Sequence, residues 1–527
     1  MKSFLGNPDN LPDEAGEVEI RQTHGSVLAL TEDHVYKVKK PIDFGFMDFT
    51  TLEKRHENCQ REIKLNRRLC ERIYLDVITI TEDQDGTWRF GNGKGKVIDY
   101  AVRMKRLEDG YFLRELLDKG ADSMEMVHVI ADSLTSFYQQ QKPSEHISKY
   151  GNIRHIRECC EGNFQVMEEF AEDIVEPLAF NIIKAFTFGF LEKHQSLFEG
   201  RIQQEKIREC HGDLHIDHIH YQNGRLCIYD GIEFNEAFRD IDIANDLAFL
   251  AMDFDHNGYI RESTHFTTLM VKKLDDPELR PLMLFYKVYR ACVRGKVHGI
   301  AGMDDSLSEK DRKNNLDMAK SFFKLALQYA CCGSEPSVLV MFGPAGGGKS
   351  TLAQSVALLL DCPYLNSDLF RKQLFNLAAD EPTPDSLKPS VYSSEITNQV
   401  YNALIEKGLE YSKKYPNIIL DATYFDPDRR GETRLAFLSA AVKPLFIFVT
   451  ARHEIIRQRL ASRNKDGKAV SDAREKDFDK LVTEYPDPNP GNYQGNLIEI
   501  DNSGSLNEIK EKLLTLLTDR VLGSQEI

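Results

Sequence analysis

The segment Gly343-Pro344-Ala345-Gly346-Gly347-Gly348-Lys349-Ser350 constrains the fold of this chain more tightly than any other feature. It fits the pattern GxxxxGK[ST]. An apolar run, residues 338–342, precedes it, and a helical pattern opens at Thr351-Leu352-Ala353. Glycines in such a loop let the backbone turn its N–H groups inward onto phosphates, and the start of the following helix adds a favourable dipole. Lys349 would reach the outer phosphates of ATP, and Ser350 would place its hydroxyl on magnesium. A strand, this loop and a helix in succession imply a parallel sheet.

The residues that follow continue the pattern. Short apolar runs at 364–365, 418–421, 445–449 and 497–500 alternate with helical periodicity, which predicts an α/β domain with a parallel sheet and helices on both faces. Its start is marked by Cys332-Gly333-Ser334-Glu335-Pro336, where Gly and Pro end a helix. The domain is expected to span residues 336–527.

Three groups add chemistry to the loop. Asp421 closes the run 418–421, and an acid at a strand end beside a phosphate loop suits the magnesium shell. Asp368 and Arg371 lie in Asn366-Ser367-Asp368-Leu369-Phe370-Arg371, just past the second strand. Asp368 could take the proton of an acceptor hydroxyl and Arg371 could hold the substrate or the transferring phosphoryl group. The same residues would also serve as a helix cap with a solvated arginine. Arg452, Arg457, Arg459 and Arg463 follow the fourth strand, where a mobile lid is expected. Arg459 and Arg463, one helical turn apart, are the candidates for stabilising transferred charge.

The first 332 residues read differently. Residues 18–104 are mostly short alternating runs separated by turns such as Asp85-Gly86, with one helical pattern from about 52 to 69. Helical periodicity covers about 113–197, a strand and turn region covers 210–230, and helix resumes to 330. Within this stretch, His211-Gly212-Asp213-Leu214-His215 is followed by a short strand ending on Asp230. Asp213 would accept the hydroxyl proton of an acceptor, and Asp230 would bind magnesium bridging ATP phosphates. Val35-Tyr36-Lys37 is an apolar strand ending on a lysine suited to the α- and β-phosphates; Lys39, on the same strand face, is the alternative. Glu62, on the helical pattern, is the natural ion-pair partner. Backbone groups near 103–107 would form an adenine hinge.

Size and charge agree with several domains. The chain has 527 residues, too many for one ordinary core. A net charge of −16 argues against a nucleic-acid partner, which needs a basic stripe. No stretch is long and apolar enough for a membrane span, and residues 1–16 lack the basic start and apolar run of a signal peptide. The ten cysteines include the adjacent pairs Cys159-Cys160 and Cys331-Cys332 but no CxxC, which reads as a reduced, cytoplasmic protein without a disulfide framework.

Two resemblances follow from these motifs. The phosphate loop to Thr351, Ser367-Asp368 to Arg371, Leu420-Asp421-Ala422-Thr423 and Ser471-Asp472-Ala473 resemble AAA-type P-loop kinases of the zeta-toxin and polynucleotide-kinase kind, over about 190 residues. Residues 18–300, through His211 to His215 and Asp230, resemble the aminoglycoside phosphotransferase family. That resemblance implies an α+β protein-kinase-like domain with an N-lobe over 1–108 and a helical C-lobe over 109–332. The whole chain resembles bacterial bifunctional aminoglycoside phosphotransferase/ATP-binding proteins, on Tyr36-Lys37-Val38-Lys39-Lys40-Pro41, Leu65-Asn66-Arg67-Arg68-Leu69, Ile232-Glu233-Phe234-Asn235 and two helical segments at 247–253 and 289–294.

Two departures stand out. The position five residues after Asp213, usually an asparagine ligand for a second magnesium, is His218. Imidazole suits softer metals better. The nucleotide-covering loop Thr23-His24-Gly25-Ser26 has a single glycine. His211, Asp213, His215, Asp217, His218 and His220 could alternatively be a transition-metal cluster. The acids Glu233, Glu236, Asp240 and Asp242 could line a pocket for a cationic substrate or form structural ion pairs.

The expectation is an ATP- and magnesium-dependent phosphotransferase with two nucleotide sites, acting on a small-molecule hydroxyl. The rivals are a nucleotide-binding regulator with one inactive kinase-like domain, and a polynucleotide 5′-hydroxyl kinase at the C-terminus.

Overall fold

The computed structural model describes residues 1–91, 95–170, 174–379, 381–466 and 471–523, with the side chains of 463–466 left out. The chain divides into two compact units. Unit 1 comprises Met1–Ile156, Gln195–Asp253 and His265–Met283; unit 2 comprises Arg157–His194, Phe254–Thr264 and Leu284–Ile527.

Unit 1 begins with a six-stranded antiparallel sheet. Its strands are β1 (Glu19–Gln22), β2 (Ser26–Leu30), β3 (His34–Lys39), β4 (Tyr74–Glu82), β5 (Trp88–Phe90) and β6 (Lys96–Lys105), in the order β1-β2-β3-β6-β4-β5. Most of the expected runs appear in place; β1 was not anticipated, because Glu19-Ile20-Arg21-Gln22 is almost wholly polar. On β3, residues of one parity enter the core: Tyr36 and Val38 join Phe4, Val27, Ala29 and Ala101. Opposite parity puts Lys37 and Lys39 together on the other face, as a period of two requires. The helix Leu52–Asn66 packs across β4 and β6. Thr51 caps it by accepting from the Lys54 N–H, and Cys59 and Ile63 bury its apolar stripe with Val102.

The rest of unit 1 carries three small antiparallel pieces. β8 (Ile219–Gln222) and β9 (Arg225–Ile228) form a hairpin, and β7 (Ile207–Glu209) pairs with β10 (Asp240–Asp242). Cys70, just past the first long helix, is bonded to Cys227 on β9, 157 residues later. This corrects the expectation of a chain without disulfides. Cysteine spacing carries no signal for a pair so far apart, since only the fold brings them together.

Unit 2 contains the parallel sheet. Its strands are β11 (Ser337–Phe342), β12 (Tyr364–Asn366), β13 (Asn417–Asp421), β14 (Lys443–Thr450) and β15 (Leu497–Asp501), ordered β12-β13-β11-β14-β15 with every pairing parallel. Each matches an expected run to within two residues. β11 is buried at all six positions, as befits a central strand covered on both sides. β11 begins at Ser337, and the compact unit that contains this sheet also takes in Arg157–His194 and Phe254–Thr264. The helix Glu309–Cys332 packs with Pro177–Lys193 and with Leu506–Gly523, so segments upstream of 336 share its core. Among the described residues, no helix is long and apolar enough to cross a membrane.

Candidate functional site

Each unit holds one of the two expected constellations. In unit 2 the phosphate loop connects β11 to the helix Lys349–Leu360. Gly348 has φ +86°, a region costly for other residues, and a Cβ there would run into the Asn502 side-chain amide. Asn502 Nδ2 donates to the Gly347 carbonyl at 2.9 Å. Arg459 donates to the same carbonyl at 3.2 Å and to the Asn502 carbonyl at 2.9 Å. The loop is thus braced at the Gly347 carbonyl, while the Gly347 N–H donates to the Pro344 carbonyl at 3.2 Å and the Gly343 N–H to the Thr423 carbonyl at 3.3 Å. The structure places Arg459 at the loop, as a brace on backbone oxygen. Arg463 lies on the same helix, His453–Asp466, and its side chain is outside the described residues.

Parallel pairing sets Asp421 beside Met341, two residues before Gly343. Asp421 is fully buried. Its Oδ2 accepts from Tyr364 Oη and Asn366 Nδ2, each at 2.6 Å. Its Oδ1 has no hydrogen-bond partner among the described residues. A buried carboxylate oxygen left open at the mouth of a phosphate loop fits a magnesium ion shared with Ser350.

Asp368 sits in the first turn of the helix Ser367–Leu374, whose cap is Asn366, accepting from the Leu369 N–H at 3.0 Å. The cap is therefore neither Ser367 nor Asp368, and Asp368 is left for other work. Burial pushes its carboxyl above the ordinary carboxylate range; Lys349 and Arg371 pull it back, and Asp421 adds to the rise. Lys349, Asp368, Arg371 and Asp421 therefore share one electrostatic neighbourhood. Arg371 is buried and donates to the Val391 carbonyl at 2.9 Å and to Thr397 Oγ1 at 3.2 Å, with its guanidinium 4.8 Å from the centre of the Tyr392 ring. Tyr392 in turn donates to Asp472 at 2.7 Å, and Asp472 also accepts from the Thr383 N–H at 2.9 Å. Arg371 and Asp472 thus tie down the segment 383–397, contacts that the Ser-Asp-x-x-Arg spacing did not reveal.

In unit 1, Lys37 Nζ lies 2.8 Å from Glu62 Oε1 and 2.7 Å from Asp230 Oδ1. Lys39 Nζ lies 2.8 Å from Glu62 Oε2 and also contacts Glu233. Both lysines therefore converge on one fully buried glutamate, and Lys37 is the one that continues to Asp230. Burial opposes the charge on Glu62, but Lys37 and Lys39 outweigh it and hold the carboxyl below its ordinary range. Asp230 is likewise held low, burial being overcome by Lys37 and then His218. Asp230 has φ +63°; its N–H is taken by Tyr74 Oη at 3.1 Å, and the next N–H by Asn66 Oδ1 at 2.7 Å.

His218 lies between the two acids. Its Nδ1 is 3.1 Å from the Asp213 carbonyl and 3.6 Å from Asp213 Oδ2, and its Nε2 is 3.7 Å from Asp230 Oδ2. In the tautomer that donates Nδ1–H to this carbonyl, Nε2 keeps its lone pair, which is how a metal-ligating imidazole is commonly held. Burial, with His215 adding to it, pushes His218 down to about 4, so it is neutral near pH 7. His215 Nε2 is 3.6 Å from Asp213 Oδ2. Asp213, His215 and His218 together could hold a metal ion.

The loop bearing Asp213 hangs on Asp246, whose carboxylate accepts from the His211 N–H at 3.0 Å, the Gly212 N–H at 2.8 Å and Tyr138 Oη at 2.8 Å. Sequence reasoning passed over Asp246, although a lone acid inside the apolar run 243–252 was a signal. Two of the four acids expected to line a substrate pocket are consumed: Glu233 by Lys39, and Asp242 by Arg201 in a buried two-pronged pair at 2.9 and 2.8 Å. Ser26, in the expected nucleotide-covering loop, is buried in β2. A cleft of about 660 Å³ beside residues 105–109 is walled by Asp33, His34, Lys105 and Leu107, and contains none of Lys37, Asp213 or Asp230.

Residues 338–488 match the AAA domain family. Uncharacterized proteins of Mycobacterium tuberculosis and Mycobacterium bovis are 28% identical over 419 residues, 79% of this chain and 80% of theirs. Among solved structures, a gluconokinase from Sinorhizobium meliloti is 14% identical, covering 35% of this chain and 93% of its own, with a TM-score of 0.26. Kti12 from Chaetomium thermophilum, in complex with ADP-AlF3, is 18% identical, covering 35% and 96%, with a TM-score of 0.27. The phosphate loop, Asp368 and Asp421 all lie within the region that matches the AAA domain family.

Proposed function

We propose that the protein is an ATP-dependent phosphotransferase with two nucleotide sites, each passing the γ-phosphoryl group of ATP to a hydroxyl of a small molecule. The observation that carries this reading is the grouping of Lys349, Asp368 and the open oxygen of Asp421 around one phosphate loop. In unit 2 the loop N–H groups and Lys349 hold the phosphates. Asp368 holds the acceptor hydroxyl and takes its proton as the new O–P bond forms and the bond to the ADP oxygen breaks. Arg371 positions the wall of the acceptor site. Ser350 and Asp421 would hold magnesium, which when bound neutralises phosphate charge.

Unit 1 supports a second, protein-kinase-like site of the aminoglycoside phosphotransferase kind. Lys37, fixed by Glu62, would hold the α- and β-phosphates, Asp213 would accept the proton, and Asp230 with His218 Nε2 would hold the metal ion. The Lys37–Glu62 pair at 2.8 Å favours a functional site there.

The test is mass-shift detection of phosphorylated products from a metabolite pool incubated with ATP and the full-length protein. Lys349→Ala should abolish one set of products and Asp213→Asn another. If neither variant changes any transfer while ATP binding persists, the protein is a nucleotide-binding regulator and the proposal fails.

A further inference from the structure

Of the four acids that follow Asp230, Glu233 and Asp242 are spent on buried ion pairs, and Glu236 and Asp240 remain. They stand four residues apart, at the start of the short helix Glu236–Arg239 and just past its end. Asp240 is 3% exposed, and its Oδ1 is buried with no hydrogen-bond partner among the described residues. A carboxylate in that position is expensive to leave ionised without a counter-charge. The neighbouring cation, Arg239, offsets only part of that cost, because other groups share it. Arg239 donates to Glu209 Oε1 at 3.2 Å and to the Glu233 carbonyl at 3.4 Å, and is 3.7 Å from Glu236 Oε1.

A third group arrives from elsewhere in the sequence. His146, on the helix Glu145–Ser148, brings its Nε2 to 3.1 Å from Glu236 Oε2. The donor atoms of His146, Glu236 and Asp240 all lie within 4.8 Å of one another. Two ligands bonded to one ion at roughly 2.0–2.2 Å stand about 3–3.5 Å apart, so little movement is needed to close on a common centre.

We propose that His146 Nε2 and one carboxylate oxygen each from Glu236 and Asp240 bind a divalent transition-metal ion, at a site separate from Lys37, Asp213 and Asp230. One imidazole and two carboxylates form a borderline ligand set, better suited to zinc or manganese than to magnesium. His146 and Glu236 are exposed, so water completes the coordination on the outer side. Binding requires the proton on Nδ1, and Lys149 Nζ, 3.5 Å from that atom, must turn away; it is exposed on a flexible stem. The ion would fasten the stretch between Asp230 and β10 to the helix Glu145–Ser148. The site does not depend on the phosphotransfer reading.

Calorimetric titration of EDTA-treated, full-length protein with Zn2+ tests this. Wild type is compared with His146→Ala, Asp240→Asn and His218→Asn, the last altering the other histidine cluster. The expected result is that one zinc equivalent disappears in His146→Ala and in Asp240→Asn and persists in His218→Asn. His146→Ala is the deciding variant, because an exposed side chain can be removed without disturbing the fold. Wild-type stoichiometry and affinity in His146→Ala would overturn the proposal. So would loss of zinc only in His218→Asn, or a wild-type protein that takes up no zinc.

Discussion

The two constellations differ in what holds them. The phosphate loop of unit 2 is a site of backbone: consecutive N–H groups, shaped by glycines and braced from behind by Asn502 and Arg459. The site of unit 1 is one of side chains drawn from β3, from the helix Leu52–Asn66 and from the segments bearing Asp213 and Asp230, locked by ion pairs around a fully buried Glu62. A backbone site concentrates its function in few atoms and shares little of the stability of the fold. A site of buried charges makes function and stability the same interaction.

That contrast is most sharply broken by removing one charge from each. Lys349→Ala should lower transfer at unit 2 by about 10³-fold, a typical effect for a charge on the transferring phosphoryl group, and leave the unfolding midpoint nearly unchanged. Initial rates with labelled ATP, set beside a denaturant melt, check both halves. A large stability loss would mean that this lysine, too, is structural. Glu62→Gln should do the opposite. It removes the carboxylate that both lysines share but leaves Lys37 on Asp230 and Lys39 on Glu233, so the loss is that of charge-assisted hydrogen bonds, about 1.5–3 kcal/mol. Urea unfolding should show that loss as a lower midpoint, with the P-loop activity of the surviving folded protein intact.

These differences also decide what could be read in advance. The phosphate loop is contiguous, so eight adjacent residues announced it, and each strand of its sheet declared itself as an apolar run. Lys37, Glu62, Asp213 and Asp230 are scattered, but each carries a local mark: a lysine ending an apolar strand, an acid on a lone helix, an acid in a histidine-flanked turn, an acid closing a strand. Asn502 has none. It is an ordinary polar residue after a strand, and its partner Gly347 lies 155 positions away. The partners of Asp472, and the bonded pair Cys70 and Cys227, escaped for the same reason. Partnership across the fold has no spacing to detect. Lys39 shows the converse: strand alternation put it on the face of Lys37, yet only the structure shows that it ends on Glu233.

A smaller effect separates the sites by pH. Burial raises the Asp368 carboxyl in the folded protein, so the folded state holds that proton more tightly than the unfolded chain. Its contribution to stability is therefore present below the ordinary carboxylate range and is lost as pH rises through the raised value. As a base it must be ionised, so transfer at unit 2 should fall tenfold per pH unit on an acid limb that lies above the range of an ordinary aspartate. Arg371→Met removes a positive neighbour and should move that limb to higher pH. A limb that stays put in Arg371→Met, read from the pH profile of kcat/KM, would remove Asp368 from the role of base.

The smallest expected change tests whether the loop is truly braced from behind. Asn502→Ala removes one neutral hydrogen bond to the Gly347 carbonyl, worth about 1 kcal/mol, and leaves Arg459 on the same oxygen. The KM for ATP should rise about fivefold with kcat little changed, because a loosened loop binds phosphates less well in ground state and transition state alike. Arg459→Lys would lose the contact to the Asn502 carbonyl as well as weaken that to Gly347, since one ammonium does not reproduce a planar fork. If Arg459→Lys lowers kcat while sparing KM, Arg459 acts on the transferring group during the reaction, and its place on the loop carbonyl belongs to the resting arrangement alone.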